Sequence, residues 1–257
     1  MKTWSFVNQN PRTGKTLSAK VLAELLIARG SKVLLIDLDP QSTLTADMGQ
    51  DPSRTDGGVY ALFRNAIDKD PHKAAPQIYS CRHPKLSLLP ANTAMAGFDN
   101  EHRLGGGLGV VLRKYLTGVS HQYDYVLVDT APVIGMLMVN ALAAADIVVV
   151  PAATEAASLG QVESMAQMMA MVNKSRPDPG RLVLMPNRFD RRSRANINVL
   201  RALRQQHPAT VWRSAIPVDP QLRQFGKPNA PATNSRGIVA YRRLLDDLDS
   251  GEYGLKS

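Results

Sequence analysis

With 257 residues, 44% hydrophobic and 21% charged, the sequence has ordinary globular composition and length enough to bury a core without covalent staples, which excludes disordered and collagen-like classes. Its one cysteine, Cys81, excludes an internal disulfide and any ion site needing several thiolates. A formal charge of +9 points to an anionic partner without naming it.

Read in chain order, short β-rich runs alternate with helical stretches. Thr3–Val7 is the first strand; at five apolar-leaning residues it is also too short for a signal-peptide core, so the chain reads as cytoplasmic. The turn Asn8 to Thr16 leads into a helix over Thr16–Arg29, with Leu17, Val21, Leu22, Leu25 and Leu26 on one face and Gly30 where a C-cap belongs. Lys32–Ile36 is a strand ending in Asp37-Leu38-Asp39-Pro40-Gln41. Asp51–Gly58 and Pro71–Pro84 read as loop insertions within one domain, and Leu86–Leu89 as the next strand. A helix over Leu104–Thr117 precedes the strand Tyr125–Val128, which runs into Asp129-Thr130-Ala131-Pro132. Met136 to Val150 is the most apolar stretch, but Asn140 and Asp146 break it and it falls short of the ~20 residues of a membrane span. Strands Ile147–Val150 and Leu182–Met185 and helices Ser158–Asn173, Ala195–Gln205 and Ile238–Asp249 complete the pattern. Continuous apolar strands between helices predict an α/β fold: one doubly wound, mostly parallel sheet with helices on both faces, a single domain spanning residues 1–257.

The chemistry concentrates at strand ends. A Gly14-Lys15-Thr16 opening a helix directly after a strand is the phosphate end of a P-loop. Backbone N–H groups and the helix dipole face the anion, Lys15 reaches the terminal phosphates, and the Thr16 hydroxyl can ligate Mg²⁺. Asp37, Asp39 and Asp129 sit at the carboxyl ends of two further strands, the edge where open parallel sheets bind ligands. A cation for phosphate, a hydroxyl and carboxylates for a metal or its waters are the parts of a Mg²⁺–nucleotide site. Taken singly, the lysine would be a surface-turn residue and each aspartate a helix cap; three such features on one edge favour the nucleotide reading.

Asn8–Thr16, Val33–Gln41 and Tyr123–Pro132, followed by Ile147–Pro151, Asn187-Arg188, Ile216-Pro217 and Ser235-Arg236-Gly237, resemble the deviant Walker A ATPases of the ParA/MinD/Soj group over nearly the whole chain. The resemblance implies a P-loop NTPase fold with ATP/ADP and Mg²⁺ as cofactors. Asn10, Pro11, Arg12, Thr13, Gly14, Lys15, Thr16 and Leu17 would form the phosphate loop. Lys15 would act with Asp39, which positions the hydrolytic water, and Asp129 would be the Walker B carboxylate. Thr16, Asp39 and Asp129 would serve the metal, while Asn187 and the chain from Pro217 to Asp219 hold the adenine. The resemblance also implies a nucleotide-dependent homodimer, non-specific DNA binding with a nucleoid location, and a ParB-like or other adaptor that stimulates hydrolysis. One departure stands out: the family loop reads Lys-Gly-Gly-x-Gly-Lys-Thr, and here Asn10, Pro11 and Arg12 occupy its first three positions. The family's signature lysine is therefore absent, and Pro11 offers no N–H to a phosphate. Arg12 could replace the cation, or point to DNA or solvent. Two activities stay open: a weak ATPase that partitions a plasmid, chromosome or other cargo, and a nucleotide switch with little turnover. Some relatives that lack this lysine position protein cargo such as carboxysomes.

Between Arg176 and Lys227 eleven cationic residues face three aspartates, a net of +8. Arg188, Arg191, Arg192, Arg194 and Arg223 are the candidate DNA contacts, against the plainer reading of a solvated basic face. Few aromatics accompany them, which favours duplex over single strands. The last helix carries Asp246, Asp247 and Asp249 beside its apolar face, so it should pack on the sheet and not on anionic lipid. Met165, Met168, Met169 and Met171 read as packing residues, and the histidines lack metal-ligand spacing.

Overall fold

The computed structural model describes residues 1–54, 57–68, 75–98, 107–155, 158–224 and 234–254. Seven strands form one sheet: β1 (Lys2–Phe6), β2 (Val33–Leu38), β3 (Tyr79–Ser80), β4 (Leu86–Leu89), β5 (Tyr125–Thr130), β6 (Ile147–Ala153) and β7 (Arg181–Asn187), in the spatial order β3-β4-β2-β5-β1-β6-β7. All neighbours pair in parallel except β3, which runs antiparallel to β4. The expected doubly wound α/β fold is the one observed. The two-residue β3 lies inside the segment expected to be loop; it carries no apolar run because it covers only an edge.

The eight α-helices of the described residues are α1 (Lys15–Ala28), α2 (Thr43–Asp47), α3 (Val59–Asp68), α4 (Val111–Val119), α5 (Met136–Ala144), α6 (Ser158–Asn173), α7 (Arg194–Gln206) and α8 (Arg236–Ser250). β2 and β6 are buried at every position, as expected of strands covered on both faces. Successive residues feed two cores: Leu34, Ile36, Val126 and Val128 face α3, α4 and α5, while Val33, Leu35 and Leu127 face α1 and α8. Gly30, at φ +91°, donates its N–H to the Ile27 carbonyl at 2.8 Å and closes α1 in the left-handed conformation that glycine allows.

One expectation shifts, and α2, α3 and α5 are added to the expected helices. The helix expected over Leu104–Thr117 is α4, preceded by a 3₁₀ turn at Leu108–Val110; Leu104 lies outside the described residues. Gly107, at φ +87°, sets that turn, and a fragment of apolar residues between glycines gave no periodicity to place it. The apolar stretch from Met136 divides into helix α5 and strand β6 at Ala145. Asn140, which broke the stretch, bonds the Leu108 and Met136 carbonyls and the Leu112 N–H from inside the core. α8 packs on α1 through Tyr241, Leu244, Leu245 and Leu248. Its acidic residues divide: buried Asp247 accepts the Trp212 indole N–H at 2.8 Å and pairs with Arg213, whereas Asp249 pairs with Lys2 and the Tyr125 hydroxyl, and Asp246 with Arg29, at the surface. Among the described residues no helix is long and apolar enough to cross a membrane.

Candidate nucleotide site and basic surface

β1 ends at Phe6 and α1 begins at Lys15, so the loop between them lies at the carboxyl edge of the sheet, where strand order turns about β1. Gly14 caps α1 in the left-handed region at φ +96°, and a Cβ there would meet Asn187 Nδ2 at 2.5 Å. That amide donates to the Thr13 carbonyl at 2.7 Å, which ties the loop to the end of β7. Arg12 holds φ +60° with a full side chain, the backbone that a glycine would adopt without strain. Asn8 donates to the Pro151 carbonyl at 2.8 Å and accepts from the Asn10 N–H, which fixes the loop's entry. Asn10 exchanges amide hydrogen bonds with Gln161 of α6, and Gln9 bonds Ser164 at 2.8 Å.

Lys15 is 6% exposed. Its ammonium donates to the Asn8 and Asn10 carbonyls at 3.1 and 3.0 Å, inside the loop. Burial lowers its pKa, and the carboxylates of Asp129 and Asp39 oppose that shift. Asp129 stands on β5 beside Phe6 of β1 and Asp37 of β2 in the sheet register. Among the described residues no donor reaches either of its buried oxygens in hydrogen-bonding geometry. Burial, then the neighbouring Asp37 carboxylate, pushes its pKa well above the usual range; the Thr16 hydroxyl and Lys15 pull the other way. Asp37 behaves differently from the two aspartates named as site residues. Fully buried, it accepts from the Thr45 N–H and hydroxyl at 2.9 and 2.7 Å and from the Asp39 N–H at 3.0 Å, and burial raises its pKa to about 6. It fastens α2 and the Asp39 turn to the sheet.

Two cavities flank the loop. One of about 690 Å³ is lined by Pro11, Arg12, Lys15, Thr16, Asp39 and Pro132. The other, about 570 Å³, is lined by Arg12, Gly14, Leu17, Asn187, Pro217 and Asp219. The residues expected at the phosphates and those expected at the base thus fall into adjoining spaces on either side of Arg12 and Gly14. Asn10 and Thr13 line neither; Thr13 is buried and Asn10 faces α6. Asp219 has a second task, since its carboxylate accepts the Gly237 and Gln221 N–H groups at 2.8 and 3.0 Å and anchors the start of α8. Burial works against that charge, but these bonds with Ser235 and Arg236 hold its pKa low.

A bound triphosphate with Mg²⁺ fits these residues. Asp129 presents two orphaned carboxylate oxygens, costly unless a proton, an ion or its waters meet them. Among the described residues no three His, Cys, Asp or Glu side chains could hold an ion by themselves. Thr16 and Asp39 on the cavity edge, with the Asp129 oxygens buried alongside, suit Mg²⁺, which keeps waters and phosphate oxygens among its ligands.

The basic segment does not form one face. Arg176 donates to the Leu142 and Ala145 carbonyls, Arg204 to the Arg213 carbonyl, and Arg213 pairs with Asp247. Those three cations serve packing. Arg188, Arg191, Arg192 and Arg194 remain exposed together between β7 and α7, with Arg192 paired to Asp190 at 3.2 Å. The Arg223 side chain and Lys227 lie outside the described residues. Met165 and Met169 are buried in the core, whereas Met171 is 72% exposed.

A parallel sheet whose first strand runs through a Gly-Lys-Thr loop into a helix, with aspartates on the adjoining strand ends, defines a P-loop nucleoside triphosphatase fold. The description "AAA domain" matches residues 1–178. The chain belongs to that family, among the P-loop ATPases of the ParA/Soj type. It is 33% identical over 254 residues to the chromosome-partitioning ATPase Soj of Thermus thermophilus, covering 95% of this chain and 94% of that protein. The structure of cobyrinic acid a,c-diamide synthase from Mycobacterium smegmatis with bound ADP and magnesium superposes with a TM-score of 0.81 at 25% identity, covering 100% of this chain and 99% of that one. An ATP complex of McdA from Cyanothece gives a TM-score of 0.82 at 20% identity, over 100% and 98%, a likeness of fold.

Proposed function

We propose that the chain is an ATPase of the ParA/Soj type, one domain over residues 1–257, that binds ATP and ADP with Mg²⁺. In this reading it hydrolyses ATP slowly and takes part in partitioning a plasmid, chromosome or other cargo on DNA. The observation that carries it is the convergence of Lys15, Thr16 and Asp39 on one cavity edge, with Asp129 buried alongside and the Asn187–Pro217–Asp219 space adjoining. Mg²⁺ supplies charge neutralisation on the phosphates. Lys15, released from the Asn8 and Asn10 carbonyls, would take the terminal phosphate oxygens, and the Thr16 hydroxyl would be a ligand for the metal. Asp39 would orient the attacking water, and Asp129 would accept hydrogen bonds from the metal's waters. The exposed Arg188, Arg191, Arg192 and Arg194 take DNA phosphates without reading sequence, and Arg223 belongs to the same proposal. A homodimer formed across the nucleotide and an adaptor of ParB type complete the cycle, which places the protein at the nucleoid in the cytoplasm.

A second reading, a switch with little turnover, is favoured by Asn10, whose side chain is engaged with Gln161 and so is not offered to phosphate. The test is retention on mixed-sequence duplex. It should weaken by a factor of roughly 10² or more between about 50 and 200 mM salt if four or more phosphates are contacted. It should vanish in a chain carrying Arg192→Glu and Arg194→Glu while ATP binding persists. Retention indifferent to salt, or to both substitutions, sinks the DNA half of the function.

A further inference from the structure

Behind the nucleotide cavity lies a second, basic one of about 480 Å³, lined by Phe189, Asp190, Arg191, Arg192, Val218 and Arg236 among others. Pro217 and Val218 line both cavities and form the wall between them. We propose that Arg191, Arg192 and Arg236 form a discrete site for one phosphate group, a backbone phosphodiester of bound DNA, and that Arg236 at the start of α8 is a DNA contact equal to those on the β7–α7 loop.

Three observations support it. First, the site is built from two distant pieces of chain brought together by backbone bonds: Val218 N–H donates to the Phe189 carbonyl at 3.1 Å, and Phe189 N–H to the Ile216 carbonyl at 3.0 Å. The Asp219 carboxylate holds the N–H of Gly237, the residue after Arg236. Second, three guanidinium groups stand against two carboxylates, Asp190 and Asp219, the latter engaged with the Gly237 and Gln221 N–H groups. Asp190 takes Arg192 Nε and Nη2 at 3.2 Å each, which aims the fork and leaves it further donors; Arg191 makes no ion pair among the described residues. The cavity thus keeps an excess of positive charge that one phosphate offsets. Third, Phe189, Pro217, Val218 and Pro220 wall the cavity, while Arg191, Arg192 and Arg236 stay exposed beside it, open to a phosphate arriving from solvent. The ligand's assignment to DNA rests on the function proposed above; the anion site itself does not.

The test uses the full chain saturated with ATP and Mg²⁺, so that the P-loop is filled, and two probes: a short mixed-sequence duplex and inorganic phosphate. Arg236→Ala should lower the slope of log affinity against log salt for the duplex by about 0.9, one lost phosphate contact. Arg236→Lys should restore it, and ATP affinity should stay unchanged in both. A duplex that binds the wild-type chain and keeps its affinity and slope in Arg236→Ala overturns the site while leaving the DNA function standing. If the wild-type chain ignores duplex but loses inorganic phosphate on Arg236→Ala, the anion site stands and its DNA ligand, with the function it rests on, falls.

Discussion

Replacing Gly14 with alanine tests whether the phosphate loop is held from behind by Asn187. Gly14 sits at φ +96°, and the new methyl would lie 2.5 Å from Asn187 Nδ2. Two costs add. A left-handed conformation costs a residue with a Cβ about 1–2 kcal/mol. Displacing the amide breaks its 2.7 Å bond to the buried Thr13 carbonyl, and an unpaired buried partner costs about 1–3 kcal/mol more. The sum, roughly 2–5 kcal/mol, is large against the total stability of about 5–15 kcal/mol typical of a native protein. Urea denaturation of the single variants and of Gly14→Ala with Asn187→Ala closes a double-mutant cycle. With the amide already gone, Gly14→Ala should cost only its backbone share, so the two substitutions should couple by about 1 kcal/mol or more. Additivity within about 0.5 kcal/mol would refute the steric argument and leave the loop held by something else.

Asp247→Ala should destabilise the chain by about 1–3 kcal/mol, because it strands the buried Trp212 indole N–H and frees Arg213, itself partly exposed; a chain of unchanged denaturation midpoint would contradict this. Cys81 should alkylate slowly at neutral pH. Burial, with Glu24 nearby, pushes its thiol up to about 11, so the thiolate fraction and the rate with iodoacetamide should keep rising well beyond the range of a free cysteine near 8.5; a plateau there would place the thiol in water. ATP turnover should rise when duplex is added to the wild-type chain, whereas turnover absent with duplex and adaptor alike would favour the switch.

Much of this was legible because the informative residues are local. The loop from Asn8 to Thr16 and the strand ends at Asp39 and Asp129 announce themselves by what precedes and follows them, and the apolar strands β2, β5 and β6 fall where their composition puts them. What escaped was set by partners distant in sequence. Gln161 and Ser164 hold the P-loop from α6, 151 and 155 positions away, and nothing around them marks that role. Asp37 looks like Asp39 in the sequence; only Thr45 and the buried end of β2 make it a fastening. The arginines between Arg176 and Lys227 count alike as charge, yet Arg176, Arg204 and Arg213 are used against carbonyls or a buried aspartate. Charge is additive along a sequence, while surface is decided by the fold.

The central claim, that the carboxyl edge of the sheet is a Mg²⁺–nucleotide site centred on Lys15, is tested most directly by titration calorimetry of ATP into the wild-type and Lys15→Ala chains, each with and without Mg²⁺. The account predicts saturable, Mg²⁺-dependent binding by the wild type. Loss of a charged hydrogen bond of about 1.5–3 kcal/mol in Lys15→Ala should weaken it roughly 10- to 150-fold. ATP bound by Lys15→Ala with wild-type affinity, while both chains denature alike, would contradict it.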